Sequence, residues 1–158
     1  MRRFTPIELA LGVSLFGCIA AVAVPTFFRE VHASRFVEPT DGLSRLGTNA
    51  LAHAAAHSVF PESAPLTPAA VPRGTKDVDP PGTWDHPTWV ALEFRATPES
   101  VPHAYAFSFE SSGSGFVGQA HGDLDGDGVL STFEVKGTAI AGQEPRLEPG
   151  MYIASELE

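Results

Sequence analysis

The chain has 158 residues, a formal charge of −9 and a sequence pI of about 5.0. Residues 1–59 hold five Arg against four acids and residues 60–158 hold five Lys or Arg against fifteen acids, so the second stretch carries the negative charge. Such a body is a poor partner for nucleic acid or an anionic lipid surface, because phosphate recognition runs on Lys and Arg, and the single Cys18 excludes an intramolecular disulfide.

A basic leader, residues 1–3 with Arg2 and Arg3, precedes an apolar segment over 4–28. From Leu9 to Phe28 twenty residues pass without a charge. At 1.5 Å per helical residue they cover roughly 30 Å, the hydrocarbon thickness of a bilayer. Glu8 stands at the lip of that run, where an acid is costly in lipid and calls for a partner. Arg2 and Arg3 stay inside by the positive-inside rule, which predicts a single pass with the acidic body outside the cytoplasm.

Phe4, Thr5, Ile7 and Glu8, an apolar run with Gly12 and Gly17, and then Ala23-Val24-Pro25 resemble the N-terminal signature of type IV pilins and pseudopilins. The resemblance covers the first quarter of the chain. It implies a leader removed before Phe4 by a prepilin peptidase, methylation of the new amine, Glu8 paired with the amine of a neighbouring subunit, and a helix broken near Pro25. It also implies a structural subunit, major or minor, of a type IV pilus or type II secretion filament. Such a subunit sits in the inner membrane before assembly, with its C-terminal domain in the periplasm, and has other pilin or pseudopilin subunits as partners. The family carries Gly immediately before the Phe; here that place is Arg3.

The same stretch has two rival readings. Ala21-Val22-Ala23 after an apolar core is the pattern of a secretory signal peptide, and Leu15-Phe16-Gly17-Cys18 is a distant version of a lipoprotein box. A signal core has no use for Glu8, and the residues after Cys18 stay apolar where a lipoprotein turns polar.

Residues 29–60 continue as an amphipathic helix. Val31, Phe36, Val37, Leu43, Leu46, Ala50, Leu51 and Ala54 recur at three- and four-residue steps, a stripe able to cover a sheet. Pro39 and Gly42 predict a kink or short break. His53 and His57 have a spacing that can hold one metal, but with no acid or third His nearby they read as polar residues of a helix face. Residues 61–89 form a proline-rich loop, with seven prolines from Pro61 to Pro87, tacked down by Trp84 and Trp89.

In residues 90–158 the period changes to two. Val90 to Arg95, Tyr105 to Phe109, Phe116 to Ala120 and Glu134 to Ala141 read as antiparallel strands with one buried face, and Met151 to Ala154 as a further short one. Ser111 to Gly115 makes a hairpin turn. The predicted fold is α+β: a long N-terminal α-helix, membrane-embedded in its first half, packed on an antiparallel sheet of about four strands, as in pilins.

The best chemical signal is the twelve-residue pattern 123–134. Asp123, Asp125 and Asp127 fall at the first, third and fifth places of a calcium loop. Gly128 takes the turn, Val129 offers a carbonyl at the seventh place, and Ser131 and Glu134 occupy the ninth and twelfth. Four carboxylates in twelve residues repel one another unless a cation sits among them. The flanks are Gly-rich or strand-like, so the loop belongs in a β-hairpin rather than an EF-hand, and a solvated acidic turn is the plainer alternative. The resemblance implies the same cofactor, a structural Ca2+, since myxobacterial-type pilins and major pseudopilins carry calcium-stabilised loops near the C-terminus. No Ser-His-Asp constellation or phosphate-cradling loop stands out, so no catalysis is expected. The alternative function is a membrane-anchored or secreted calcium-binding module that does not polymerise.

Overall fold

The computed structural model describes residues 5–155, with the side chains of residues 28–34 outside that description. Arg3 and Phe4, on which the processing expectation rests, therefore lie outside the described residues. The chain divides into two compact units, Met1–Phe36 and Val37–Glu158.

Helix α1 (Pro6–His57) contributes to both units. In the first unit its start is set by residue type. Pro6 opens the helix with its fixed φ, and Thr5 and Glu8 bond reciprocally: Thr5 N donates to Glu8 Oε2 at 2.8 Å and Glu8 N donates to Thr5 Oγ1 at 3.3 Å. This is a capping box, which satisfies two of the donors that a helix start leaves without partners. Pro6–Phe27 is apolar and long enough to cross a membrane, with none of its span buried within the protein, and by length and composition it passes equally as a membrane anchor or a signal sequence. The backbone is helical through Pro25, where the resemblance implies a break.

In the second unit the stripe Leu43, Leu46, Ala50 and Ala54 is fully or almost fully buried, as its spacing predicts. The break expected at Pro39 and Gly42 is absent, since every residue from Pro6 to His57 is helical. The reason lies in packing. Pro39 is itself buried, and a Cβ on Gly42 would stand 2.5 Å from Phe107 Cζ. Gly42 thus lets the helix lie directly on an aromatic ring, and burial of Leu43 and Leu46 at roughly 1.5–3 kcal/mol each offsets the cost of a helical proline, about 3 kcal/mol. Ser58 ends the helix with φ 64, donating its N–H to Ala54 O at 2.8 Å.

Among the described residues six strands form one antiparallel sheet, where about four were expected: β1 (Ala64–Thr67), β2 (Tyr105–Ser111), β3 (Gly115–Gly122), β4 (Ser131–Thr138), β5 (Arg146–Leu147) and β6 (Tyr152–Ala154). The order is β1-β2-β3-β4, with β5 and β6 both paired to β4. β1 falls inside the stretch predicted to be loop. The turn at 111–115 is present, with Gly113 at φ 81, and sets the register Ser111 to Phe116. Tyr105, Phe107, Phe109, Phe116, Ala120, Phe133 and Val135 bury the core face.

The strand expected over Val90 to Arg95 is instead a short helix, α2 (Pro87–Ala91), and a turn. Pro87 stands in the first turn, and the His86 ring accepts from Thr88 N at 3.3 Å to cap it. Burial still falls on Trp89, Leu92 and Phe94. Two helical side chains then clasp the turn: Asn49 donates to Leu92 O at 2.9 Å and Arg45 to Ala96 O at 2.6 Å. Over six residues the alternation of Val90, Leu92 and Phe94 fits a buried turn as well as a strand, and the caps decide between them. Trp84 and Trp89 are buried against Phe94 and Phe107, with ring centroids 5.2 to 6.5 Å apart.

Candidate metal centre

The β3–β4 hairpin places the acidic loop. His121 and Thr132, then Gly122 and Ser131, are the last cross-strand pairs, so residues 123–130 bulge out beyond the sheet. Two glycines with left-handed backbone, Gly126 (φ 82) and Gly128 (φ 94), fold that bulge back on itself. Each turn is fastened by an aspartate. Asp123 accepts from Gly126 N at 2.8 Å and from Gly128 N at 3.1 Å, Asp125 from Asp127 N at 3.1 Å, and Asp127 from Val129 N at 2.7 Å.

The consequence is convergence. One carboxylate oxygen each from Asp123, Asp125 and Asp127 lies within 4.8 Å of the others. Asp123 is 1% exposed, while Asp125 and Asp127 are exposed. Oxygen donors of this hardness and density suit a divalent cation of the calcium class. Three carboxylates supply three to six of the six to eight oxygens that calcium takes, leaving the remainder to backbone carbonyls and water.

The other predicted ligands are placed differently. Ser131 is buried, and its hydroxyl donates to Gly122 O at 3.1 Å, closing the neck of the loop. Glu134 lies further along β4, opposite Gln119. Its carboxylate accepts from Gln119 Nε2 at 2.9 Å and pairs with Lys136 Nζ at 2.8 Å. The Lys136 bond, followed by that from Gln119, holds the Glu134 carboxyl below its ordinary value against an opposing contribution from burial. The structure therefore brings together the first, third and fifth places of the pattern and leaves the ninth and twelfth on the strand. Val129, at the seventh, lies on the exposed bulge, 47% accessible.

Residues that the sequence did not point to complete the surroundings. Arg73 forms a parallel bridge with Asp123, its Nε is 3.7 Å from Asp123 Oδ2, and Gly74 N donates to Asp123 O at 2.8 Å. The proline-rich loop is thereby tied to the acidic turn across fifty positions of sequence, a contact no local pattern announces. Thr5 is the first residue of a Thr-x-x-Glu box, a local signal by which its bond to Glu8 could have been found. The two imidazoles of His53 and His57 are 4.4 Å apart, and His53 Nδ1 is 3.2 Å from Val59 O.

Compared with known proteins, the chain matches no family model, no curated protein and no solved structure.

Proposed function

We propose that the chain is a pilin-like or pseudopilin-like subunit, anchored by Pro6–Phe27 with its acidic body outside the cytoplasm, and that its work is assembly rather than catalysis. The observation that carries the reading is the first unit. The apolar side chains described over Pro6–Phe27 stand open, Ile7, Leu11, Phe16 and Val22 being about 70% exposed or more, so lipid or copies of the same helix must cover them. Glu8 sits at the head of this surface, where its carboxylate caps its own helix through Thr5. A charged amine from a neighbouring subunit would compete for the same oxygens, exchanging an intrahelical bond for an ion pair in lipid. Calcium at Asp123, Asp125 and Asp127 would brace the hairpin and, through Asp123 with Arg73 and Gly74, the proline-rich loop.

Mass spectrometry of the membrane-extracted protein tests the reading. A mature terminus at Phe4, methylated, or intact protein that cross-links into ladders through the span, supports a filament subunit. A terminus at Val24, or acylation of Cys18, overturns it in favour of a secreted or lipid-anchored calcium-binding module. The carboxylate cluster alone favours that second reading, because it asks for a cation and nothing of assembly.

A further inference from the structure

In the second unit a buried histidine stands apart from the acidic loop. His103 is 0% exposed, and each of its ring nitrogens faces an acceptor. Nδ1 lies 2.8 Å from Tyr105 O, and Nε2 lies 2.8 Å from Asp79 Oδ2. A carbonyl oxygen has no hydrogen to give, so Nδ1 carries one. An ionised carboxylate has none either, so the contact at Nε2 requires a further proton, on the ring or on the carboxyl. The same Asp79 oxygen accepts from Trp84 Nε1 at 2.6 Å.

We propose that Asp79 and His103 retain one proton between them as a buried latch, net neutral, which fastens the proline-rich loop to the entry of β2 and holds Trp84 in the aromatic cluster. The main chain aims the two groups at each other: Asp77 and His103 exchange both N–H···O bonds at 3.0 Å, which brings Asp79, two residues on, alongside the imidazole. Beyond the ring, Glu38 takes the amides of Ala104 and Tyr105 at 2.7 and 3.0 Å and pairs with Lys76 at 3.6 Å. Asp79 and Trp84 also line a depression of about 450 Å³ with Asp85, Arg95 and Glu99, and these complete the charged surroundings. Without the shared proton, two acceptors would face each other at 2.8 Å beside a fully buried ring, a contact that costs free energy instead of contributing it. The contact between the proline-rich loop and the entry of β2 therefore depends on that shared proton. The Trp84 indole depends on the same oxygen.

The test uses the full chain in detergent at neutral pH, with nitrogen-15 NMR of the His103 ring and carbon-13 NMR of the Asp79 carboxyl. The expected result is protonation of both ring nitrogens with Asp79 ionised, or a neutral ring with Asp79 protonated. A bare Nε2 beside an ionised Asp79 overturns the proposal, and this measurement on the unaltered protein needs no variant to fold. In Asp79→Asn the position of Oδ2 holds either the amide oxygen, which accepts from Trp84 but donates nothing to Nε2, or the amide nitrogen, which donates to Nε2 but cannot accept from Trp84, so one of the two contacts is lost while His103 keeps a single proton. Two protons on the His103 ring of that variant would refute the sharing. In Asp79→Ala, Trp84 emission moves to the red and amide exchange over residues 77–85 quickens by about tenfold or more. Unchanged emission and exchange there would show that the pair holds nothing.

Discussion

The proposed calcium site leads to a thermal experiment whose size follows from the loop's geometry. Three carboxylate oxygens within 4.8 Å of one another repel by about 1 kcal/mol per pair in water-like surroundings, less as salt screens the two exposed ones. A bound divalent ion reverses that sign. At a hundredfold excess over its dissociation constant the gain is about 2.7 kcal/mol, whatever the microscopic origin. For a body of this size that corresponds to a rise in melting temperature of roughly 5 to 15 °C. Trp84 and Trp89, both buried in the second unit, report the transition by fluorescence for the full chain in detergent, with calcium or with chelator. The variants separate metal from loop structure. Asp125→Ala with Asp127→Ala removes two exposed carboxylates, so the calcium response disappears while the chelated protein melts near the wild type. Asp123→Ala also strips a buried acceptor from Gly126 N and Gly128 N, so it melts lower even in chelator, by about 1–3 kcal/mol in stability. Magnesium substitutes poorly, since it prefers a tighter octahedron and keeps its waters. Coincident melting curves in calcium and chelator, together with no heat of binding at millimolar ion, would refute the metal site.

At the other end of the chain, Glu8→Gln keeps an acceptor for Thr5 but loses the charge, so it should insert normally and fail in assembly; filaments of normal yield, counted by electron microscopy, would remove the pairing argument. If leader removal requires Gly before Phe4, the wild type stays uncleaved in the membrane and Arg3→Gly releases residues 1–3, a difference intact-mass measurement reads directly. Gly42→Ala sets a methyl against the Phe107 ring and should lower stability by about 1–3 kcal/mol, whereas Gly12→Ala, with open space around it, should leave the melting temperature where it is. The Glu134 carboxyl is held below its ordinary value of 4.5, first by Lys136. Its stabilising contribution is thus complete above about pH 4.5 and lost as pH falls through the lower folded value. In Lys136→Met the acid limb of the stability curve should move to higher pH, and an unmoved limb would show that the pair contributes nothing.

Local patterns determined much of this protein. The uncharged run after Glu8, the three- and four-residue spacing of Leu43, Leu46, Ala50 and Ala54, the alternation about Phe107 and the Asp-x-Asp-x-Asp-Gly turn each state their structure within a dozen residues, because helix period, pleat and glycine φ are local properties. Tertiary structure decided the rest. Pro39 and Gly42 read as a break until the ring of Phe107 occupies the space that a missing Cβ leaves, and only packing makes a helical proline tolerable there. Val90 to Phe94 alternates like a strand, yet Asn49 and Arg45, arriving from a helix some forty to fifty residues earlier, take the carbonyls of a turn. Glu134 fits the twelfth place of a calcium loop in sequence, but the β3–β4 register sets it opposite Gln119, with Lys136 bound to its carboxylate. Arg73 beside Asp123 and His103 beside Asp79 belong to the same class, since a charge finds its partner through the path of the whole chain, and no period in the sequence encodes that path.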